Sequence, residues 1–166
     1  GVGDMMLIHA ANLLQTSLRN DDFLARYGGD EFVIVKRNET DMQRLTLMAE
    51  HLIGLMSQPV PYENHFCRFG ASIGIAVENG ANVDTKRLLI DSDIALYRAK
   101  NGGRNRVEFF TKELQLQIVN AKRIADDILR GLEQGEFLAH YQPQFDAKTF
   151  QLVGVEALAR WNHPTQ

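Results

Sequence analysis

Two adjacent glycines between alternating apolar residues leave a chain few options, and the run ARYGGDEFVIV, Ala25 to Val35, has that form. Glycine accepts the positive φ that a tight hairpin turn demands. The run therefore reads as two short strands, near Phe23–Tyr27 and Phe32–Val35, joined through Gly28 and Gly29. Asp30 and Glu31 follow the turn directly. In the plainest reading these acids are solvated side chains beside a loop. In the alternative, the glycines let a phosphate approach backbone N–H groups, and the adjacent carboxylates supply the hard oxygen ligands that Mg²⁺ prefers. Two carboxylates held close repel each other, and a divalent ion relieves that repulsion.

Periodicity places the other elements around this hairpin. From Asp4 to Arg19 the residues Leu7, Ala11, Leu14 and Leu18 share one stripe, which predicts an amphipathic helix. Thr40 and Gln43 make a capping-box pattern before a second helix with Leu45, Met48, Leu52 and Leu55 or Met56 on its apolar face, ended by Pro59 and Pro61. FCRFGASIGIAV, Phe66 to Val77, reads as a strand whose glycines permit a bulge or a close backbone approach. A helix from about Thr85 to Lys100 stops at Gly102 and Gly103, and NRVEFF closes the set as a short strand. This order suits an α/β (α+β) domain: an antiparallel-rich sheet with helices on its faces.

The character then changes. Between Thr111 and Gln134 the apolar positions Leu114, Ile118, Ala121, Ala125, Ile128 and Leu132 alternate in steps of four and three, a short heptad seam. It fits either a connector helix packed on its own domain or a dimerising coil. After Gly135, FLAHYQPQFD and FQLVGVEALARW read as two strands around a turn at Ala147–Thr149. So short a segment cannot bury a core of its own, so it reads as the opening of a second domain. The expected organisation is 1–110, a linker helix over 111–135, and 136–166.

Composition excludes several classes of function. With 166 residues, 45% apolar, 23% charged and a net charge of -3, the chain is an ordinary globular protein. It has no general electrostatic attraction for DNA or an anionic membrane, so any nucleotide site must be local. The single cysteine, Cys67, rules out an internal disulfide or a cysteine zinc cluster and fits a reducing cytosol. No apolar run approaches the roughly 20 residues of a membrane span. His9, His51, His65, His140 and His163 lack ligand spacing, and Trp161 reads as a packing residue. The chain opens on GVGDMM and stops at HPTQ, and both ends read as cut.

RYGGDEF, followed by SIGIA and then DSDIALYRAKNGGRN, resembles the GGDEF family of diguanylate cyclases over Gly1 to about Phe110. The resemblance implies a palm-like nucleotide-cyclase sheet with flanking helices. In that family two domains each bring one GTP, and each 3′-hydroxyl attacks the other's α-phosphate to give cyclic di-GMP and pyrophosphate. Activity thus needs a homodimer. The resemblance implies that Gly28 and Gly29 line the triphosphate. It also implies that Asp30 and Glu31 serve the Mg²⁺ (or Mn²⁺) site, one of them also helping to deprotonate the hydroxyl. Asp4, in GVGD, falls where the family has an acid on the guanine edge, although a helix N-cap role is compatible. Lys100 and Arg104 match the basic pair on the terminal phosphates; the plainer alternative is a solvated helix end favoured by the dipole. Arg19 and Asp22, in RNDD, match the spacing of the family's RxxD inhibitory product site, against an ordinary helix-exit salt bridge.

The family's first-strand aspartate ligand and guanine-reading asparagine have no counterpart in this sequence. The chain alone is therefore expected to bind Mg²⁺-GTP poorly and to be catalytically crippled. HYQPQFD and VGVEALARWNHP resemble the start of the EAL family of cyclic di-GMP phosphodiesterases, a (β/α) barrel related to the TIM type. Strand alternation puts Glu156, Leu158 and Arg160 on one face. By resemblance Glu156 ligates Mg²⁺ or Mn²⁺, and Gln142 and Arg160 contact the dinucleotide; a buried Glu–Arg pair is the bland alternative. The parent is then expected to be a cytoplasmic bacterial signalling protein, with sensory or membrane domains possible upstream. It would make cyclic di-GMP, with an EAL domain able to hydrolyse it to pGpG. The alternatives are a non-catalytic GGDEF receptor that regulates the EAL domain, or a dimerisation module built on the linker seam.

Overall fold

The computed structural model describes residues 1–80 and 82–164; the last two residues of the 136–166 segment lie outside them. The elements run α1 (Val2–Ser17), β1 (Phe23–Gly28), β2 (Glu31–Val35), α2 (Met42–Met56), β3 (Val60–Tyr62), β4 (His65–Cys67), β5 (Ile73–Ile75), α3 (Thr85–Asn101), β6 (Val107–Phe109), α4 (Lys112–Glu133), β7 (Phe137–Phe145) and β8 (Leu152–Trp161). The chain divides into two units, Gly1–Gln115 and Leu116–Gln166.

The first unit is built on the hairpin of β1 and β2, which pair antiparallel from Phe23↔Val35 to Gly28↔Glu31 with a bulge between Arg26 and Gly28. Its inner residues Leu24, Phe32 and Ile34 pack on a buried cluster of Ala10 and Leu14 from α1 and Leu52 and Met56 from α2. Leu52 is only 1% exposed. Truncating such a leucine costs about 2–5 kcal/mol, so α2 is held chiefly by this face. A second layer forms where α3 crosses β5. Ala95 and Ala99 are fully buried there. A Cβ on Gly74 would lie 2.2 Å from the Leu96 backbone nitrogen and 2.3 Å from the Ser92 carbonyl oxygen, so only glycine allows that approach.

Several details depart from the sequence reading. The pairs β1–β2, β3–β4, β5–β6 and β7–β8 form four separate two-stranded ladders, and β5–β6 is parallel. The predicted strand Phe66–Val77 is two strands, β4 and β5, and Pro61 lies inside β3 opposite Phe66 rather than in a terminating loop. A two-stranded ladder leaves one strand edge free, and proline is tolerated there. Asp41, not Thr40, caps α2: its side chain accepts from the Gln43 and Arg44 amides. Met56, not Leu55, carries the buried end of that helix.

In the second unit β7 and β8 pair antiparallel over nine positions, from Phe137↔Trp161 to Phe145↔Leu152. Trp161 is a packing residue, as its sequence context suggested. It stacks on Phe137 at 5.0 Å and donates its indole N–H to Glu136 Oε2 at 2.9 Å. No helix among the described residues is long and apolar enough to cross a membrane.

Candidate functional site

The turn between β1 and β2 is shaped by its glycines. Gly29 sits at φ 53°, and a Cβ on Gly28 or Gly29 would meet nothing within 4 Å, so the backbone there is open to a ligand. Asp30 and Glu31 leave the turn at the mouth of β2, with Asp30 exposed and Glu31 half-buried. Lys100, in the last turn of α3, reaches this point and donates from Nζ to Glu31 Oε1 at 3.0 Å. Residues 69 positions apart in sequence thus meet at the turn. Both side chains are over two-fifths exposed, so this pair contributes at most about 1 kcal/mol and is readily exchanged for a ligand.

Beside the turn lies an open cleft of ≈ 430 Å³ between α1 and the hairpin, lined by Asp4, Leu7, Ile8, Ala11, Leu24, Arg26 and Phe32. It is apolar on its walls and carries one acid, Asp4, and one guanidinium, Arg26. Asp4 stands in the first turn of α1, where its carboxylate accepts from the Gly1 amino group at 3.0 Å.

Arg104 is placed differently. It follows α3 in a tight turn, with φ 59° at Arg104 and 50° at Asn105. It lines a second cleft of ≈ 390 Å³ with Ser57, Arg68, Phe69, Gly70, Ser72 and Asn105. Lys100 and Arg104, paired by the sequence reading, therefore face two different surroundings.

Arg19 and Asp22 close a turn of their own: the Arg19 amide donates to Asp22 Oδ2 at 2.9 Å, and the Asp22 amide to the Arg19 carbonyl at 3.1 Å. The Asp22 carboxylate is buried and paired with Lys36 Nζ at 2.6 Å. Burial alone would push this carboxyl up, but the hydrogen bonds from Lys36 and the Arg19 amide, with the Lys36 and Arg19 charges, outweigh it and hold it below the ordinary value. The Arg19 guanidinium stays largely exposed, 3.9 Å from Glu39 Oε2.

On the second unit the register sets Gln142 directly opposite Glu156, with Arg160 opposite Leu138. Directly paired residues project to the same face, so Gln142, Glu156 and Arg160 share one surface of the ladder. Among the described residues no group of three or more His, Cys, Asp or Glu is placed to hold a metal ion. Asp30 and Glu31 supply two carboxylates at the turn, and that donor set fits a hard ion such as Mg²⁺, which takes its other ligands from water and phosphate.

Three participants escaped the sequence reading: Arg26, Lys36 and Glu39. Lys36 was within reach, because extending the hairpin register by one step past Phe23↔Val35 sets it across from Asp22.

A family model described as "Diguanylate cyclase, GGDEF domain" matches residues 1–106, and a model of the EAL domain matches residues 125–166. The bifunctional diguanylate cyclase/cyclic di-GMP phosphodiesterase MucR of Pseudomonas aeruginosa is 37% identical over 163 residues, which is 98% of this chain and 24% of that protein. An EAL/GGDEF domain protein from M. capsulatus superposes with a TM-score of 0.58 at 33% identity, over 66% of this chain and 71% of that one. The GGDEF domain of DgcB from Caulobacter crescentus, solved in complex with c-di-GMP, superposes with a TM-score of 0.60 at 27% identity, over 65% of this chain and 64% of that one. The chain spans 20–24% of the length of the curated relatives it matches first.

Proposed function

The chain belongs to the GGDEF family of diguanylate cyclase domains and runs on into an EAL domain, and from that premise we propose that its parent protein turns over cyclic di-GMP. The first domain condenses two GTP: each 3′-hydroxyl attacks the α-phosphate of the other nucleotide, and each attack releases one pyrophosphate. The single observation that carries this reading is the meeting of Glu31 and Lys100 at the glycine turn, an acid and a base poised where a metal and a phosphate would replace each other's partner. In the bound state Gly28 and Gly29 take the triphosphate along their open backbone. Lys100 moves from Glu31 to the terminal phosphates, and Arg104 swings out of the second cleft to join it. Asp4, on the rim of the apolar cleft, accepts from the guanine edge. Asp30 and Glu31 would hold Mg²⁺ or Mn²⁺, which would supply Lewis-acid activation of the phosphate.

Two such domains must face each other, so the active form is a homodimer. Arg19 binds the cyclic product at an inhibitory site whose turn Asp22 shapes. The domain limits are 1–110 and 136–166, joined by the linker helix 111–135. In the EAL domain Glu156 would hold a divalent metal, and Gln142 and Arg160 contact the dinucleotide on the way to pGpG. The protein works in the cytoplasm, with no DNA partner and no membrane contact through this segment.

The test is the parent protein incubated separately with GTP and with cyclic di-GMP, with products resolved by chromatography. Cyclic di-GMP formed from GTP supports the cyclase, and pGpG formed from cyclic di-GMP supports the phosphodiesterase. Nucleotide binding without product from GTP replaces the cyclase with a receptor that regulates the EAL domain.

A further inference from the structure

Arg26 is the one charged side chain on the hairpin that turns back onto the hairpin's own loop. Its Nε and Nη2 both donate to the Gly29 carbonyl oxygen, at 2.9 and 2.7 Å. Gly29 is the residue at positive φ, and Arg26 sits at the edge of the bulge that offsets the ladder before the turn. A bulge re-aims the residues that follow it, and it leaves the ladder locally unpaired. Without a further tie, a Gly-Gly turn beyond a bulge samples many backbone states, because glycine is free on both sides of φ. The guanidinium supplies that tie. Two donors in a planar fork on one acceptor fix the carbonyl's direction as well as its distance, which a lysine on a flexible stem does not.

We propose that Arg26 is a positioning residue: its guanidinium clamps the Gly29 carbonyl and so sets the direction in which Asp30 and Glu31 leave the turn. Fixing the 29–30 peptide plane fixes the Asp30 N–H and the start of β2. Both carboxylates then stand ready before substrate arrives. Arg26 also lines the same cleft as Asp4. One side chain thus ties the turn that serves the phosphate end to the wall of the cleft that serves the base. Arg26 is itself exposed and packs in no core, so its loss leaves the fold standing.

This inference rests on the cyclase reading above for its kinetic consequence, but not for its structural one. The experiment therefore has two arms, on the parent protein and its Arg26→Ala, Arg26→Gln and Arg26→Lys variants. In the first arm, hydrogen exchange without nucleotide is followed on peptides covering 25–35. The turn amides of Arg26→Ala and Arg26→Gln should exchange at least about tenfold faster, while α2 is unchanged. In the second arm, cyclic di-GMP synthesis from GTP should lose at least about tenfold in kcat with KM for GTP moved less than threefold. Arg26→Lys should recover only part of it, and added ethylguanidinium should rescue Arg26→Ala. Turn exchange identical to wild type in all three variants overturns the proposal, whatever the activity. So does a loss confined to KM, or equal full activity in Arg26→Gln. A wild-type parent that makes no cyclic di-GMP defeats the cyclase reading alone, and the exchange arm still decides the clamp.

Discussion

The β1–β2 and β7–β8 hairpins use the same local device to different ends. β1–β2 is short, bulged and half-buried, with Leu24, Phe32 and Ile34 on the α1–α2 cluster and a turn left open by Gly28 and Gly29. β7–β8 is nearly twice as long, yet Leu138, Tyr141, Phe145, Leu152, Val153 and Val155 are all more than half exposed. Its turn is closed by Asp146, which accepts from the Lys148 and Thr149 amides and the Thr149 hydroxyl. Strand pairing forms in both, so pairing is not what separates them. The difference lies in what covers the faces and in what the turn acid does. Asp146 is consumed by its own loop, whereas Asp30 is exposed beside its turn.

The largest effect should come from exchanging those acids' fates. Asp30→Ala in the parent protein is expected to lower cyclic di-GMP synthesis by about 10²-fold or more, as removal of a group that serves the transition-state charge does. Asp146→Ala should leave synthesis within about twofold. Equal losses, read by product chromatography, erase the distinction between the two turns.

Next in size is the core. In urea unfolding of the 166-residue chain, Leu52→Ala should cost about 2–5 kcal/mol, because the leucine is fully enclosed. Val155→Ala, on the exposed ladder, should fall within about 0.5 kcal/mol of wild type. A comparable cost at Val155 means that the β8 face is covered in solution. Hydrogen exchange sharpens the same contrast at the level of backbone: amides of Ala25 and Val33 should be protected at least about tenfold more than those of Ala139 and Ala159.

The smallest expected effect is in acid. Asp22 and Asp146 both titrate below their ordinary value in the folded chain. A carboxyl depressed by folding adds stability that is full above its unfolded pKa, near 4, and that drains away as pH falls through the lower folded value. Asp22→Asn should flatten the acid loss of stability below about pH 4 in the first unit, since the buried pair with Lys36 is then gone. Asp146→Asn should change the slope less, because its partners are exposed loop amides. A steeper acid loss in Asp22→Asn contradicts the sign.

The hairpin that carries the candidate site was legible because its signals are local. Gly28-Gly29 announces the turn, and the hairpin strands fall within a residue of where alternation put them. Strand alternation also placed Glu156 and Arg160 on one face, and the register added Gln142. Less was legible wherever a competing neighbour decided. Thr40 and Asp41 are both good caps, and packing of α2 selected the second. FCRFGASIGIAV is apolar enough for one strand, but β4 turns back on β3 while β5 pairs forward with β6, and composition carries no mark of that division. Arg26 stood within the most informative stretch of the sequence and gave no sign of its partner, because a backbone carbonyl has no sequence identity.

By itself the sequence determined where the helices and the β1–β2 hairpin form, where the glycine turn falls, and which acids and bases lie near it in sequence. These follow from φ preferences and from periods of two and 3.6 residues, which act over a few positions. Tertiary structure alone decided that Lys100 meets Glu31, that Arg104 faces a different cleft, that β5 and β6 run parallel, and that Asp22 is buried against Lys36 while Arg19 stays out. Those outcomes depend on how helices and ladders stack to bury apolar area. That stacking is a property of the whole unit, and no single window of residues contains it.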